Sequence, residues 1–174
     1  MKRLLFIFSI TTAVLALASC TAEPDFSDVP FISDATLTKY ASGRDRLGNV
    51  NDSLVVSLKF QDGDGDLGVS PTSYPEDDTL SKINNNYEVR TFQRKNGQFQ
   101  DITGSQTVSN SGNFPRLRTD NKRGPIEGTL TRSITVFRIP QNRNDTLKFM
   151  IRIRDRAMNV SNEIETPVVV VNSN

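Results

Sequence analysis

Leu54, Val56, Leu58 and Phe60 alternate with Val55, Ser57, Lys59 and Gln61, and the same period returns where Leu147, Phe149, Ile151 and Ile153 alternate with Lys148, Met150, Arg152 and Arg154. A period of two sends successive side chains to opposite faces of a strand, so each segment buries one face and wets the other. No stretch of useful length has the 3.6-residue period of an amphipathic helix. Asn96-Gly97 joins residues 87–95 to 98–102, and that dipeptide between two such runs is a strong short-range hairpin signal. Residues 133–139 are β-branched and aromatic and stop at Pro140, which cannot donate to a ladder. Residues 167–171 form a last strand and residues 31–40 a first one. Residues 104–128, rich in Ser, Asn, Gly, Arg and Lys, read as a long loop holding one short strand at most. There is no internal repeat.

About seven short strands with turns between them predict an all-β chain, a single antiparallel β-sandwich over residues 31–174. A domain of that size buries enough surface to fold without disulfides, and the one Cys of the 174 residues permits none within the chain. At 36% apolar and 24% charged residues the composition is that of an ordinary globular protein. The strand order resembles immunoglobulin-like and fibronectin-III-like domains. The resemblance implies strand B at residues 52–61, C at 87–95, C′ at 98–102, E at 133–139, F at 146–154 and G at 167–171. The disulfide and core Trp of antibody domains are missing here, as in many other sandwiches.

The N-terminus is a separate unit. Lys2 and Arg3 precede an apolar run over residues 4–18, about 15 residues where a bilayer span needs about 20. This is a signal peptide, to be set aside from the fold. Leu17-Ala18-Ser19-Cys20 resembles the lipobox of bacterial lipoproteins. The resemblance implies cleavage before Cys20 and acylation of its sulfur and new amino group, which accounts for the lone Cys. Several acyl chains on one residue anchor a protein stably. Residues 1–19 are then signal peptide and 20–30 a lipidated Cys with an extended tether, reaching up to roughly 30 Å if polyproline-like. Thr21 in second place, where an Asp tends to mean inner-membrane retention, points by resemblance to the outer membrane. Without Lys2 and Arg3 the chain has 19 basic and 20 acidic residues, so no strong field draws nucleic acid or anionic lipid.

Asp62-Gly63-Asp64-Gly65-Asp66-Leu67-Gly68 carries the most chemistry. Carboxylates at i, i+2 and i+4, with glycines that permit a tight backbone, converge on one point. An oxygen-only cluster suits Ca²⁺, which takes about 6 to 8 oxygens. The segment is not an EF-hand, because Leu67 stands where that loop needs Gly and Ser73 where it needs the bidentate Glu. Asp and Gly are also ordinary turn residues, so a solvated turn stays open. Register adds to the motif. The inward phase of the first strand runs on to Asp62 and that of the second to Asp155, and in an immunoglobulin-like sandwich both lie at one end. Carboxylates capping the core there need a cation, an Arg or a proton between them. Calcium on Asp62, Asp64, Asp66 and Asp155 is one solution. Arg154, Arg156 or hydrogen bonds from Asn159 are others, and Glu76-Asp77-Asp78 lies in the same connection.

Residues 155–162, Asp-Arg-Ala-Met-Asn-Val-Ser-Asn, resemble the D-x-A-G-N-x-S-N ending common in bacterial immunoglobulin-like repeats, with Met158 in place of the usual Gly. Together with the acidic loop they look like small lipoproteins of the Bacteroidota, many of them uncharacterised. Asp52-Ser53-Leu54, Asp78-Thr79-Leu80 and Asp145-Thr146-Leu147 resemble the O-glycosylation site of that phylum, which implies Ser53, Thr79 and Thr146 as acceptors. The same triplets are ordinary turn-to-strand sequence.

Arg116, Arg118, Lys122 and Arg123, with Phe114 nearby, offer a basic loop for an anionic ligand or plain solvation. Their spacing provides no stacking platform for single-stranded nucleic acid. Zero His removes imidazole bases, Ser-His and Cys-His nucleophiles and imidazole metal sites. A carboxylate pair such as Asp64 with Glu76 can in principle serve glycoside hydrolysis, but no spacing favours it. The expectation is a non-enzymatic, lipid-anchored envelope protein that meets an envelope protein or extracellular ligand. The alternative is a glycan- or nutrient-capture lipoprotein of an outer-membrane uptake system, which zero Trp and three Tyr disfavour.

Overall fold

The computed structural model describes residues 23–44, 46, 48, 50–69, 85–106, 108–120, 122–137 and 144–172. Cys20, the Glu76–Asp78 cluster and Thr79 lie outside the described residues. Among the described residues eight strands occur in chain order: β1 (Phe31–Arg44), β2 (Val50–Asp62), β3 (Tyr87–Lys95), β4 (Gln98–Asp101), β5 (Ile126–Phe137), β6 (Asp145–Ile153), β7 (Ile164–Glu165) and β8 (Val169–Val171). They form two antiparallel sheets, β1-β2-β5 and β4-β3-β6, with β7 and β8 both pairing β6. In the lettering above, β1 with B and E faces C′, C, F and G. Among the described residues there is no α-helix, and none long and apolar enough to cross a membrane.

The alternation decides the packing. Leu54, Val56, Leu58 and Phe60 of β2 and Leu147, Phe149, Ile151 and Ile153 of β6 are buried, and between them they join the sheets into one core. Each such side chain contributes roughly 1.5–3 kcal/mol when removed from water. Ile32, Leu67, Tyr87, Val89, Leu130, Ile134 and Val171 complete that core.

Three expectations change in detail. The fifth strand begins at Ile126, not at residue 133. Gly128 sits opposite Phe60, and a Cβ there would meet the Phe60 ring at 3.0 Å. A small residue inside a strand therefore reflects a large neighbour. The last strand is split into β7 and β8, both on β6. The segment after Gly104 is a strap rather than a free loop. Gly112 bridges Tyr87, Pro115 bridges Val69, and the Leu117 N–H donates to the Leu67 carbonyl at 3.2 Å. Asn86, fully buried, holds the strap with its side chain: its Oδ1 accepts from the Phe114 N–H at 2.9 Å and its Nδ2 donates to the Phe114 carbonyl at 3.2 Å.

Candidate metal centre

Asp62 ends β2 on the inward phase and is fully buried, as is Asp155, two residues beyond Ile153. The loop after Asp62 then crosses between the sheets: Leu67 is fully buried and bridges Asp155. Leu67 stands where an EF-hand needs Gly because here that position is part of the core. Gly65 adopts φ +70°, and a Cβ on it would lie 2.6 Å from the Gly124 carbonyl oxygen, so the turn requires glycine twice over.

The turn folds the three carboxylates of the motif together. One ligand oxygen from each of Asp62, Asp64 and Asp66 lies within 4.8 Å of the others. Two oxygens on one Ca²⁺ at about 2.4 Å cannot be more than about 4.8 Å apart, so the cluster meets the outer limit for a shared ion. One oxygen of each is already used. Asp62 Oδ2 accepts from the Asp66 N–H at 3.0 Å, Asp64 Oδ2 from Arg123 at 3.0 Å, and Asp66 Oδ2 from the Ala157 N–H at 2.9 Å. The other three, Asp62 Oδ1, Asp64 Oδ1 and Asp66 Oδ1, are buried with no hydrogen-bond partner. A buried acceptor left unmade costs about 1–3 kcal/mol, more when charged. This triad can hold a metal ion, and its all-oxygen chemistry selects a hard cation.

The electrostatics agree. Burial, then the neighbouring Asp64, Asp66 and Asp155, push the Asp62 carboxyl up to about 7. Burial, Asp155 and Asp64 push Asp66 up to about 6, against Arg156 and the Ala157 N–H. Asp155 is raised too, by burial first, while Asn159 opposes the rise. Asp155 stands beside the triad rather than in it. Its Oδ1 accepts from the Asn159 N–H at 2.7 Å and its Oδ2 from Asn159 Nδ2 at 2.8 Å. Of the neutralising routes open to Asp155 in the sequence, Asn159 is the one realised. Arg154 turns to Glu88 at 3.0 Å, and Arg156 donates to the Gly68 carbonyl at 3.2 Å.

Two residues of the basic loop, Arg118 and Arg123, have carboxylate partners. Arg118 braces its own turn, donating to the Gly124 carbonyl at 2.8 Å and pairing with Asp120 at 2.9 Å. Arg123 reaches the acidic end, 3.0 Å from Asp64 and 3.6 Å from Asp28. The Arg116 backbone N–H donates to the Val69 carbonyl at 3.1 Å, and the Lys122 N–H donates to Asp120 at 3.1 Å. Nothing in the spacing announced that Arg123 would meet Asp64; the strap carries it there.

The residues before β1 are docked as well. The Gly63 N–H donates to the Ser27 carbonyl at 2.8 Å, and a Cβ on Gly63 would stand 2.3 Å from the Phe26 carbonyl oxygen. Residues 26–28 thus lie on the acidic loop, which removes them from the free reach of the segment before β1. Met158 holds φ +77°, the left-handed conformation for which the related motif keeps Gly.

The glycosylation triplets fare differently from what a turn would offer. Ser53 and Thr146 lie within β2 and β6, half-buried. Asp52 is fully buried, accepts from the Asn172 N–H at 2.6 Å and lies 3.4 Å from Lys39 Nζ. Asp52 shares the phase of Leu54, and that parity is the signal that marks it as internal. No protein-family model, curated protein or solved structure matches this chain.

Proposed function

We propose that this chain is a lipid-anchored cell-envelope protein of the binding or structural type, whose β-sandwich is locked at one end by Ca²⁺ on Asp62, Asp64 and Asp66. One observation carries the calcium reading: three carboxylates that converge within 4.8 Å, each keeping a buried oxygen without a hydrogen-bond donor. A divalent ion supplies the partner they lack. In doing so it ties the loop after β2 to the Ala157 turn through Asp66, and to the strap through Asp64 and Arg123. Backbone carbonyls, water or Asp155 complete the 6 to 8 oxygens that Ca²⁺ takes. Anchoring rests on the lipobox at Cys20, and the outer membrane on Thr21. A non-enzymatic role rests on the absence of His from the sequence.

The test is thermal unfolding of residues 21–174 with millimolar Ca²⁺ and with a chelator, beside Asp62→Asn. A ligand at about 100 times its dissociation constant stabilises by about 2.7 kcal/mol. At about 2–4 °C per kcal/mol for a domain of this size, the melting temperature should rise by roughly 5–11 °C. The rise should vanish in Asp62→Asn. An unchanged melting curve in Ca²⁺ rejects the metal and leaves the loop as a proton-sharing carboxylate turn.

A further inference from the structure

A second feature lies toward the opposite end of the sandwich. A cleft of about 920 Å³ opens between β5 and the start of the strap, residues 102–106 and 108–110. Its floor is Leu147 and Phe149 of β6, with Ile134 of β5 beside them. Both the inward Ile134 and the outward Ser133 and Thr135 line it. Side chains from both faces of one strand can share a cleft only where the cleft reaches the strand's edge. Among the described residues that edge is unpaired: β5 pairs β2 on one side and no strand on the other. Alternate residues of an antiparallel strand turn their N–H and C=O groups away from the existing partner, so the edge is a template for another strand. Sandwiches of the constant-immunoglobulin type fill this place with a strand D. Here the chain between β4 and β5 runs instead as the strap, held off the edge by Arg132, which donates to the Asn110 and Ser111 carbonyls at 3.0 and 3.1 Å.

We propose that this cleft seats an extended peptide of a partner protein, added to β5 as a fourth strand of the β1-β2-β5 sheet and carrying a basic side chain to Asp145. The charge follows from the lining. Arg132 is turned into the strap and over the Tyr87 ring. Asp145, half-buried in the cleft wall, meets no cation among the described residues. The alternation follows from the lining: side chains on one face of the incoming strand meet the accessible apolar residues Ile102, Val108 and Val136, above the buried Ile134, Leu147 and Phe149, and those on the other meet Ser133 and Thr135. An oligosaccharide fits less well, because the lining offers no exposed aromatic face. The inference rests on the reading of the chain as a binding protein and is independent of the cation.

The test uses the full chain in detergent and an array of eight-residue peptides. Thr and Val alternate in these peptides, and each carries either Lys or norleucine at one position. Hydrogen exchange is then read on the peptides that bind. Slowed exchange at the β5 amides, with Lys preferred about fivefold over norleucine, is the expected result. Asp145→Asn should erase that preference and leave norleucine peptides unaffected. Ser105→Trp, an exposed cleft residue outside the core, should remove binding with an unchanged melting temperature. Failure of every peptide to bind, protection at β1 or β4 instead of β5, or cleft protection by an oligosaccharide pool alone would each overturn the proposal. None of these outcomes bears on the calcium melting shift, so the two readings fail separately.

Discussion

Asp62 shows how one side chain answers to two demands. Its parity with Phe60 sends it inward, and its charge asks for water or a partner. Burial and three neighbouring carboxylates raise its carboxyl to about 7, and Asp66 follows to about 6. The unfolded chain releases these protons near 4, so between about pH 4 and 7 the folded state holds more protons than the unfolded one. Stability from this end is therefore greatest at the acid side of that window and is lost as pH rises through 6 and 7. Glu88, Asp101 and Asp120 run the other way. The Thr103 hydroxyl and N–H, with Arg90, hold Asp101 down to about 2, so its contribution is lost only in strong acid. Without divalent cations, the denaturant midpoint should be higher at pH 5 than at pH 8. Ca²⁺ should flatten or reverse that slope, and Asp62→Asn should flatten it with no cation present. A metal-free midpoint that climbs from pH 5 to 8 would contradict the electrostatics of the triad.

At the scale of elements, glycines and one strap do work that hydropathy does not reveal. Gly63 lets the backbone of residues 26–27 lie on the acidic loop, with no room for a methyl group. Gly63→Ala should push that lead-in away. We expect faster proteolysis within residues 24–29 and a melting temperature lowered by only a few degrees, about what 1 kcal/mol removes. Cleavage kinetics unchanged from the parent would mean that the contact holds nothing. The strap is the other such element. It binds Tyr87, Asn86, Val69 and Leu67 in turn, bringing Gly124 and Arg123 to Asp64 at one end while its beginning walls the cleft at the other. No ladder forms along it: its bonds pass from Thr91, Val89 and Tyr87 of β3, made largely through side chains, to the Leu67 and Val69 backbone of the acidic loop. β1 is blurred for a related reason. Its pairing slips between Ser33 and Thr36 and between Tyr40 and Gly43, so its alternation breaks twice.

Across the whole molecule one core joins the sheets, and Phe149 is its largest fully buried side chain. Phe149→Ala should cost about 3–5 kcal/mol, which at about 2–4 °C per kcal/mol lowers the melting temperature by roughly 6–20 °C. A drop under 3 °C would mean that the sheets do not depend on this contact. The core parts the two ends of the sandwich, and each end carries a buried carboxylate on the phase of β2. Asp52 is met by Lys39 and the Asn172 N–H, whereas Asp62 keeps an oxygen without a donor. That difference separates a structural clamp from a candidate cation site.

The alternation of β2 and β6, the Asn-Gly hairpin and the parity that turns Asp62 and Asp155 inward are local patterns, and the chain alone determines them. Period two tells which face is buried whatever lies across it. The extent of β5 was not legible, because Gly128 is explained only by the Phe60 ring opposite. Nor was the division between Asp155 and the triad, because Asn159 takes both Asp155 oxygens only once the turn after β6 closes. The meeting of Arg123 with Asp64, the docking of residues 26–28 and the open edge of β5 join positions far apart in the chain. Local sequence carries no record of such pairs, since they are set by the path of the strap between the two sheets, and that path exists only in the folded molecule.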